Sequence, residues 1–257
     1  MKKPLISVIT VTLNSEKYLL DTMNSVSNQT YQNIEHIIID GGSTDQTLEI
    51  IKKNESSILK WTSETDKGIA DAMNKGIKKS TGDYIIFLHS DDYFIDQNSL
   101  KEASNYLNNK NHIYLFKVLL DNGSHKIISK NKNLGFSTNF KMGSCHQGHI
   151  CSRQLFNKIG FFDQEFEITM DYDFILRAYR EGFKSLSVNK ILSTMRLVGI
   201  SSKNDWESLN KRFTEERKAH LKNTKYFWHS LLYKGYWLLY IPYRKIKYQV
   251  ALLNKAL

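Results

Sequence analysis

The apolar run Ile6-Ser-Val-Ile-Thr-Val-Thr-Leu13 is rich in β-branched residues, the pattern of a strand buried on both faces. Residues 16–29 follow with helical spacing, placing Tyr18, Leu19, Met23 and Val26 on one side. Ile34-Glu-His-Ile-Ile-Ile-Asp40 reads as a second buried strand, and Gly41-Gly-Ser-Thr-Asp45 as a turn. Ser43 or Thr44 is positioned to cap a helix over 46–54. A shorter strand over 58–62, a helix over 69–79 and a strand over 84–88 continue the alternation. Strand–helix–strand units at this spacing predict right-handed crossovers and an α/β fold with a mostly parallel central sheet flanked by helices. After Asp92 the pattern loosens. Helices are expected over 100–107, 153–159 and 171–181. Strands 113–120 and 126–129 flank Asp121-Asn-Gly-Ser124 as a hairpin.

The chain has 257 residues, 41% of them hydrophobic and 12% aromatic, enough to bury a full core. No linker, repeat or low-complexity stretch divides it. Cys145 and Cys151 form neither a disulfide framework nor a metal-spaced set, which fits a reduced compartment. The N-terminus lacks the apolar core and cleavage site of a secretory signal. Net charge is +10, and it is uneven: eleven Lys/Arg stand against only Glu215 and Glu216 from Lys211 onward. The first 210 residues are close to neutral, so the basic character belongs to the tail.

Acids gather at predicted strand ends. Asp40 ends the second strand, Glu64 and Asp66 follow the third, and Asp91 and Asp92 follow the fourth. In a parallel sheet these ends share one edge, where an open α/β sheet presents its ligand site. Paired carboxylates there are costly without positive charge, and a divalent metal carrying a diphosphate would supply it. Asp171 opens a helix, where the macrodipole favours an acid in any case.

Taken in order and spacing, several segments resemble the inverting glycosyltransferases of family 2, with the GT-A fold, and in particular bacterial surface-polysaccharide enzymes of the O-antigen and capsule type. The resemblance rests on the first strand through Asn14, Asp40-Gly-Gly-Ser-Thr-Asp45, Ser63-Glu-Thr-Asp-Lys-Gly68 with the helix to Gly76, Gly82 to Asp92, His146-Gln147, and Gly160-Phe-Phe-Asp163 followed by Asp171. It implies a catalytic domain over 1–210, nucleotide-binding to about residue 95 and acceptor-binding beyond. It further implies that Val11, Thr12, Asn14, Asp40, Asp66, Lys67, Asn74, Ser90 and Asp91 bind the donor nucleotide, with Asp40 accepting from uracil. Asp91 and Asp92 would hold Mn2+ or Mg2+, and Asp171 would be the general base. His146, Gln147, Arg196 and Ser201 are candidate donor or acceptor contacts; for His146 and Arg196 structural roles stand beside these. The chain departs from the pattern at His89, where the metal motif has its first acid, and at Met170, where the base motif has Glu. Asp173 is the rival base, but in a helix it points about 200° away from Asp171.

The segment 226–243 is aromatic and apolar, with Lys and Arg on both flanks, but His229, Lys234, Gly235 and Pro242 interrupt it. It is short of the about 20 apolar residues of a spanning helix. A helix over 211–257 lying in the membrane interface is the expectation, with a hairpin packed on the catalytic domain or a second subunit as the rival. The predicted activity is transfer of a hexose or N-acetylhexosamine from a UDP-sugar to a lipid-linked glycan, at the cytoplasmic face of the cell membrane; a homo-oligomer is left open. The alternatives are a sugar-nucleotide nucleotidyltransferase, for which Leu13-Asn-Ser-Glu-Lys17 lacks a triphosphate loop, and a basic nucleic-acid binder, which the aromatic run disfavours.

Overall fold

The computed structural model describes residues 3–108, 110–198 and 205–256, with side chains to residue 253. Strand β1 (Ile6–Thr12) is buried along its whole length and pairs in parallel with β2 (Ile34–Asp40) and β4 (Tyr84–Phe87); β3 (Lys60–Ser63) extends the sheet beyond β2. Alternate β1 residues serve opposite layers. Ile9 and Val11 pack with Ile37, Ile39 and the inner face of α3 (Ile69–Lys79), while Ile6 and Val8 pack with Ile86 and Leu88. Helix α1 (Leu19–Ser27) lays Leu19 and Met23 against Ile38, together with Ile51 of α2 (Thr47–Lys53). Gly76 lets α3 approach the sheet, since a Cβ there would stand 2.4 Å from Ile9 Cγ2.

The parallel half is as expected. The second half is mixed. The sheet runs β3-β2-β1-β4-β8-β6-β9-β5, where β5 is Tyr93–Phe94, β6 is Ile113–Asp121, β8 is His149–Ser152 and β9 is Ser185–Arg196. Strand β7 (Lys126–Ile128) pairs antiparallel with β6 through the expected Asp121–Ser124 turn. β8 runs antiparallel between β4 and β6, and β5 antiparallel to β9. Strands β5, β8 and β9 have no clear pattern of their own, because Ser, His and Asn occupy positions buried by pairing. Their effect is functional: β5 and β9 lock the turn carrying Asp91 and Asp92 against Arg196 at the end of β9. Helix α2 begins at Thr47 without Ser43 or Thr44 as cap; Asp45 Oδ1 accepts from the Thr47 N–H at 3.0 Å, and Ser43 is used elsewhere.

Helices α4 (Ser99–Ser104), α5 (Arg153–Ile159) and α6 (Met170–Arg180) cover the second half. The tail is a helical hairpin, α7 (Trp206–Lys222) and α8 (Phe227–Ala256). Phe213, Tyr233 and Trp237 form its buried core. The packed-hairpin rival therefore describes one face of α8. The other face stays exposed, with Trp228, Leu232, Leu238, Leu239 and Ile246 all uncovered. No helix among the described residues is long and apolar enough to cross a membrane.

Candidate active site

The donor edge begins at the turn after β2. The Asp40 side chain is fully buried, and its oxygens accept from the Gly42 N–H (3.1 Å), the Ser43 N–H (3.0 Å), Ser63 Oγ (2.6 Å) and Ser43 Oγ. Its lone pairs are committed to building the turn, which corrects the expectation that Asp40 meets the base. The β1 loop is keyed to the same turn. Asn14 sits at φ +50°; its N–H donates to Ser43 Oγ (2.8 Å) and its Oδ1 accepts from the Thr44 N–H (2.9 Å). Val11 and Thr12 are buried at the strand end, and the Thr12 hydroxyl has no partner among the described residues.

Asp66 occupies the space that Asp40 leaves. A Cβ on Gly41 would stand 2.5 Å from Asp66 Oδ2, so the missing side chain at Gly41 makes room for the Asp66 carboxylate beside Leu13. Asp66 Oδ1 accepts from the Gly68 N–H at 2.8 Å, and Oδ2 has no hydrogen bond among the described residues. Lys67 is exposed, and its backbone N–H donates to Asp71 (3.1 Å), steadying the loop. Asn74 is not in the crevice. Its amide donates to Phe162 O (2.8 Å) and accepts from the Phe162 N–H (3.0 Å), tying α3 to the Gly160–Asp163 loop. That two-point bond uses both ends of the side chain, so the nucleotide role expected for Asn74 is corrected to a structural one.

The turn after β4 is braced from behind. Ser90 Oγ bonds Ser15 Oγ (2.8 Å), and Thr22 Oγ1 donates to the carbonyls of Ser90 (3.0 Å) and Asp92 (2.6 Å). Arg196 donates from Nη1 to Asp91 O (2.9 Å), from its backbone N to Asp92 Oδ1 (3.2 Å), and from Nη2 to Asp21 (2.8 Å). Its guanidinium also lies between the rings of Tyr18 and Tyr93, at 4.7 and 4.6 Å. Arg196 is thus a brace for the acid turn rather than a loosely exposed side chain. Ser201 lies outside the described residues. Gln147 is buried, and its backbone carbonyl accepts from Ser193 Oγ (2.8 Å).

Asp92 is buried and its Oδ2 has no partner. Burial, and then the charge of Asp91, hold its carboxyl well above the usual range. His89 Nδ1 next to it is likewise buried and unpartnered. The His89 ring stacks on His146 (6.0 Å, 15°), which packs among Phe87, Phe162 and His149. Burial and the neighbouring imidazoles keep His146 neutral, its pKa pushed well below the ordinary value. The ring is half-buried, and its Nε2 has no hydrogen-bond partner among the described residues.

These orphaned atoms test the metal. A buried acid held neutral by desolvation and a like-charged neighbour gains from a cation brought to its open oxygen, and carboxylate oxygens suit Mg2+ and Mn2+. Among the described residues no three His, Cys, Asp or Glu side chains form a ready cage. A metal here would be held by Asp91 and Asp92 and would need its remaining oxygens from diphosphate and water.

Asp171 lies in the first turn of α6. Burial pushes its carboxyl up to about 6, with Arg212 pulling it down and Glu215 pushing it up. The loop leading into α6 is held from outside: Glu215 of α7 accepts from the N–H groups of Glu167 (3.2 Å), Ile168 (2.9 Å) and Thr169 (2.9 Å). Asp173 is ruled out as base, because it is buried against Arg177 (2.9 Å) and Asn223 (2.7 Å). Burial pushes the Cys145 thiol up, as do the charges of Asp171 and Asp92, while Ser129 pulls it down. The sequence reading did not single out Cys145, Gly41, Glu215 or Arg212. The one available signal was the pair Glu215-Glu216, the only acids in a basic tail.

An open α/β sheet with buried polar turns after β2 and β4 and a carboxylate at the start of a helix in its mixed half has the GT-A architecture of nucleotide-sugar transferases. The family model for glycosyl transferase family 2 matches residues 7–163, and the chain belongs to that family. It is similar to an uncharacterised glycosyltransferase of Mycobacterium tuberculosis, 37% identical over 183 residues, covering 68% of this chain and 69% of the relative. In fold it is similar to S. aureus TarS 1-349 in complex with UDP-GlcNAc (TM-score 0.66, 22% identity, 86% of this chain and 68% of that one). It is also similar to the mannosyltransferase PcManGT of Pyrobaculum calidifontis in complex with GDP-Man and Mn2+ (TM-score 0.67, 14% identity, 99% and 76%).

Proposed function

We propose that the protein transfers a hexose or N-acetylhexosamine from a UDP-sugar, with inversion, to a hydroxyl of a lipid-linked glycan in surface-polysaccharide synthesis. What supports this reading is the Asp171 carboxyl at the start of α6, raised by burial to about 6, together with an Asp91–Asp92 turn braced by Arg196. Asp171 takes the proton of the attacking hydroxyl, which approaches from the face opposite the leaving nucleotide. An α-linked donor then gives a β-linked product. A divalent metal held by Asp91 and Asp92, when bound, offsets the charge growing on the diphosphate. Val11 and Thr12 flank the base, Asp66 accepts from its N3–H, and Lys67 faces a phosphate. The exposed aromatic and aliphatic face of α8, with Lys234, Lys245 and Lys247 exposed beside it, docks on the cytoplasmic membrane surface where the acceptor lies.

Calorimetric titration with UDP, GDP and CDP, with and without manganese, tests the donor side. UDP is expected to bind with metal and only weakly after EDTA; equal binding in EDTA would remove the metal from Asp91 and Asp92. Asp66→Asn is expected to weaken UDP by about ten- to a hundredfold, the loss of a charged hydrogen bond, and to improve CDP relative to UDP. Asp40→Asn instead loosens the turn and is expected to lower the melting temperature. If Asp66→Asn left the UDP-to-CDP preference unchanged, Asp66 would not read the base.

A further inference from the structure

Helix α7 turns one stripe toward the loop that leads into α6. Lys211, Glu215, Lys218 and Lys222 are spaced four, three and four residues apart, so they share a face of the helix. Lys211 pairs with Glu167, Lys218 with Glu165 (3.1 Å), and Lys222 with Asp163 and Glu165 (3.0 Å to the latter). These three lysines are about half exposed, where ion pairs contribute little. Glu215 is the one acid of the stripe, and it is buried. Its Oε2 accepts from the Ile168 N–H (2.9 Å), the Thr169 N–H (2.9 Å) and the Thr169 hydroxyl (3.2 Å), and its Oε1 from the Glu167 N–H (3.2 Å). A carboxylate makes stronger hydrogen bonds to backbone N–H groups than a neutral acceptor does. Thr169 is where α6 starts, its carbonyl accepting from the Asp173 N–H at 2.9 Å. Asp171 comes two residues later, with Oδ1 accepting from the Tyr172 N–H at 2.7 Å. Tyr172 is also tied to α7, its Oη 2.6 Å from His220 Nε2. Asp171 therefore stands between two residues that α7 holds, Thr169 before it and Tyr172 after it.

We propose that Glu215 is a positioning residue for Asp171: by fixing the backbone of residues 167–169 it sets the direction in which the Asp171 carboxyl meets the acceptor hydroxyl. The proposal rests on the transferase reading, in which Asp171 is the base. Misplacing a reacting group by about 1 Å costs on the order of a hundredfold in rate, so a clamp two residues away bears directly on turnover. Glu215 also acts on Asp171 through its charge. Burial pushes the Asp171 carboxyl up to about 6, backbone N–H groups and Arg212 pull it down, and Glu215 adds an upward push. Two other titratable groups feel the Asp171 charge, Cys145 before β8 and Glu216 on α7, and burial pushes both of them up, Glu216 to about 7. A neutral residue in place of Glu215 removes only one of these influences, so the Asp171 carboxyl should move down.

Two readouts on the full-length protein test this. One is the titration midpoint of the Asp171 carboxyl carbon, followed by nuclear magnetic resonance with isotope-labelled aspartate and assigned by its absence in Asp171→Asn. The other is UDP release from the UDP-sugar that the wild type hydrolyses fastest, with water in the acceptor's place. At pH 8, where Asp171 is ionised in every variant, Glu215→Gln is expected to lower turnover about ten- to a hundredfold while UDP affinity stays unchanged. Its Asp171 midpoint should fall below the wild-type value of about 6. Glu215→Asp keeps the charge on a shorter arm, so it should hold the wild-type midpoint and recover part of the turnover. Lys218→Gln, on the same stripe, should change neither. Wild-type turnover and an unmoved midpoint in Glu215→Gln would overturn the role. So would equal losses of turnover and UDP affinity, which would make Glu215 a general support of the fold. The same changes in Lys218→Gln would assign the effect to the surface ion pairs and overturn it too. Wild type that binds no UDP, or full turnover by Asp171→Asn, would instead remove the transferase reading on which the proposal rests.

Discussion

Asp171→Asn is expected to abolish sugar transfer, lowering kcat by about 10²–10⁴-fold, while leaving metal-dependent UDP binding intact. Of the two acids in the first turn of α6, Asp173 is committed to Arg177 and Asn223, which leaves Asp171 for the proposed role. Its pKa, raised to about 6, sets the sign of the pH profile. Only the ionised form is a base, so kcat rises with pH through about 6 and levels off above it. Stability runs the other way. A carboxyl with a raised folded-state pKa holds its proton more tightly in the folded protein. It therefore contributes stability below its ordinary value near 3.8, and that contribution is lost as pH rises through about 6. Asn mimics the protonated form, so the variant should melt at or above the wild-type temperature at pH 7.5 while being inactive. Steady-state turnover, UDP calorimetry and thermal melts on one preparation decide this. Substantial turnover by the variant would reassign the base; a lowered melting temperature would mean that Asp171 is mainly a structural acid.

The nucleotide half was legible because its signals are local. β-Branched runs name β1, β2 and β4, and Gly or Asp clusters name the turns between them. The site residues were harder for a physical reason: a carboxylate at a strand end can serve the turn or the ligand, and sequence pattern is the same for both. Asp40 serves the turn, and Gly41 hands its place in the crevice to Asp66 from a loop 25 residues later, a relation visible only once a Cβ is imagined at Gly41. Asn74 looked like a polar lining residue, yet its amide matches the backbone of Phe162, a partner 88 residues away. Likewise Arg196 finds Asp91 and Asp21 only because β9 returns beside β5, and no periodicity in 185–196 announces that strand. Long-range pairing decided what local pattern left open.

The tail poses the same ambiguity on a larger scale, and its resolution predicts the second large effect. The aromatics of α8 divide by helical spacing: Tyr233, Trp237 and Tyr240 turn inward at i, i+4 and i+7, while Trp228, Leu232 and Leu239 turn outward. The inward set is wired to the site. Trp237 Nε1 donates to His220 Nδ1 (2.9 Å), which leaves the proton on Nε2 because an indole can only donate. His220 Nε2 then donates to Tyr172 Oη (2.6 Å), and Tyr172 Oη donates to Thr138 O (2.9 Å). Burial lowers His220 to about 3, so the ring stays neutral and this order of donors holds. Tyr172 is the residue after Asp171. Trp237→Ala therefore removes a fully buried side chain and leaves His220 Nδ1 without a donor. The expected cost is about 3–5 kcal/mol, a large share of the about 5–15 kcal/mol of a whole domain. Melting temperature should fall by many degrees, and activity should fall even on a soluble acceptor. The triple change Trp228→Ser, Leu232→Ser and Leu239→Ser touches only the exposed face. It should leave the melting temperature within a degree or two while releasing the protein from phosphatidylglycerol vesicles in a flotation assay. Deleting residues 226–257 should do both, because one helix carries both faces. If the triple variant still floated with vesicles, the outer face of α8 would not be the membrane contact; if Trp237→Ala melted like wild type, the hairpin would not be integral to the catalytic domain.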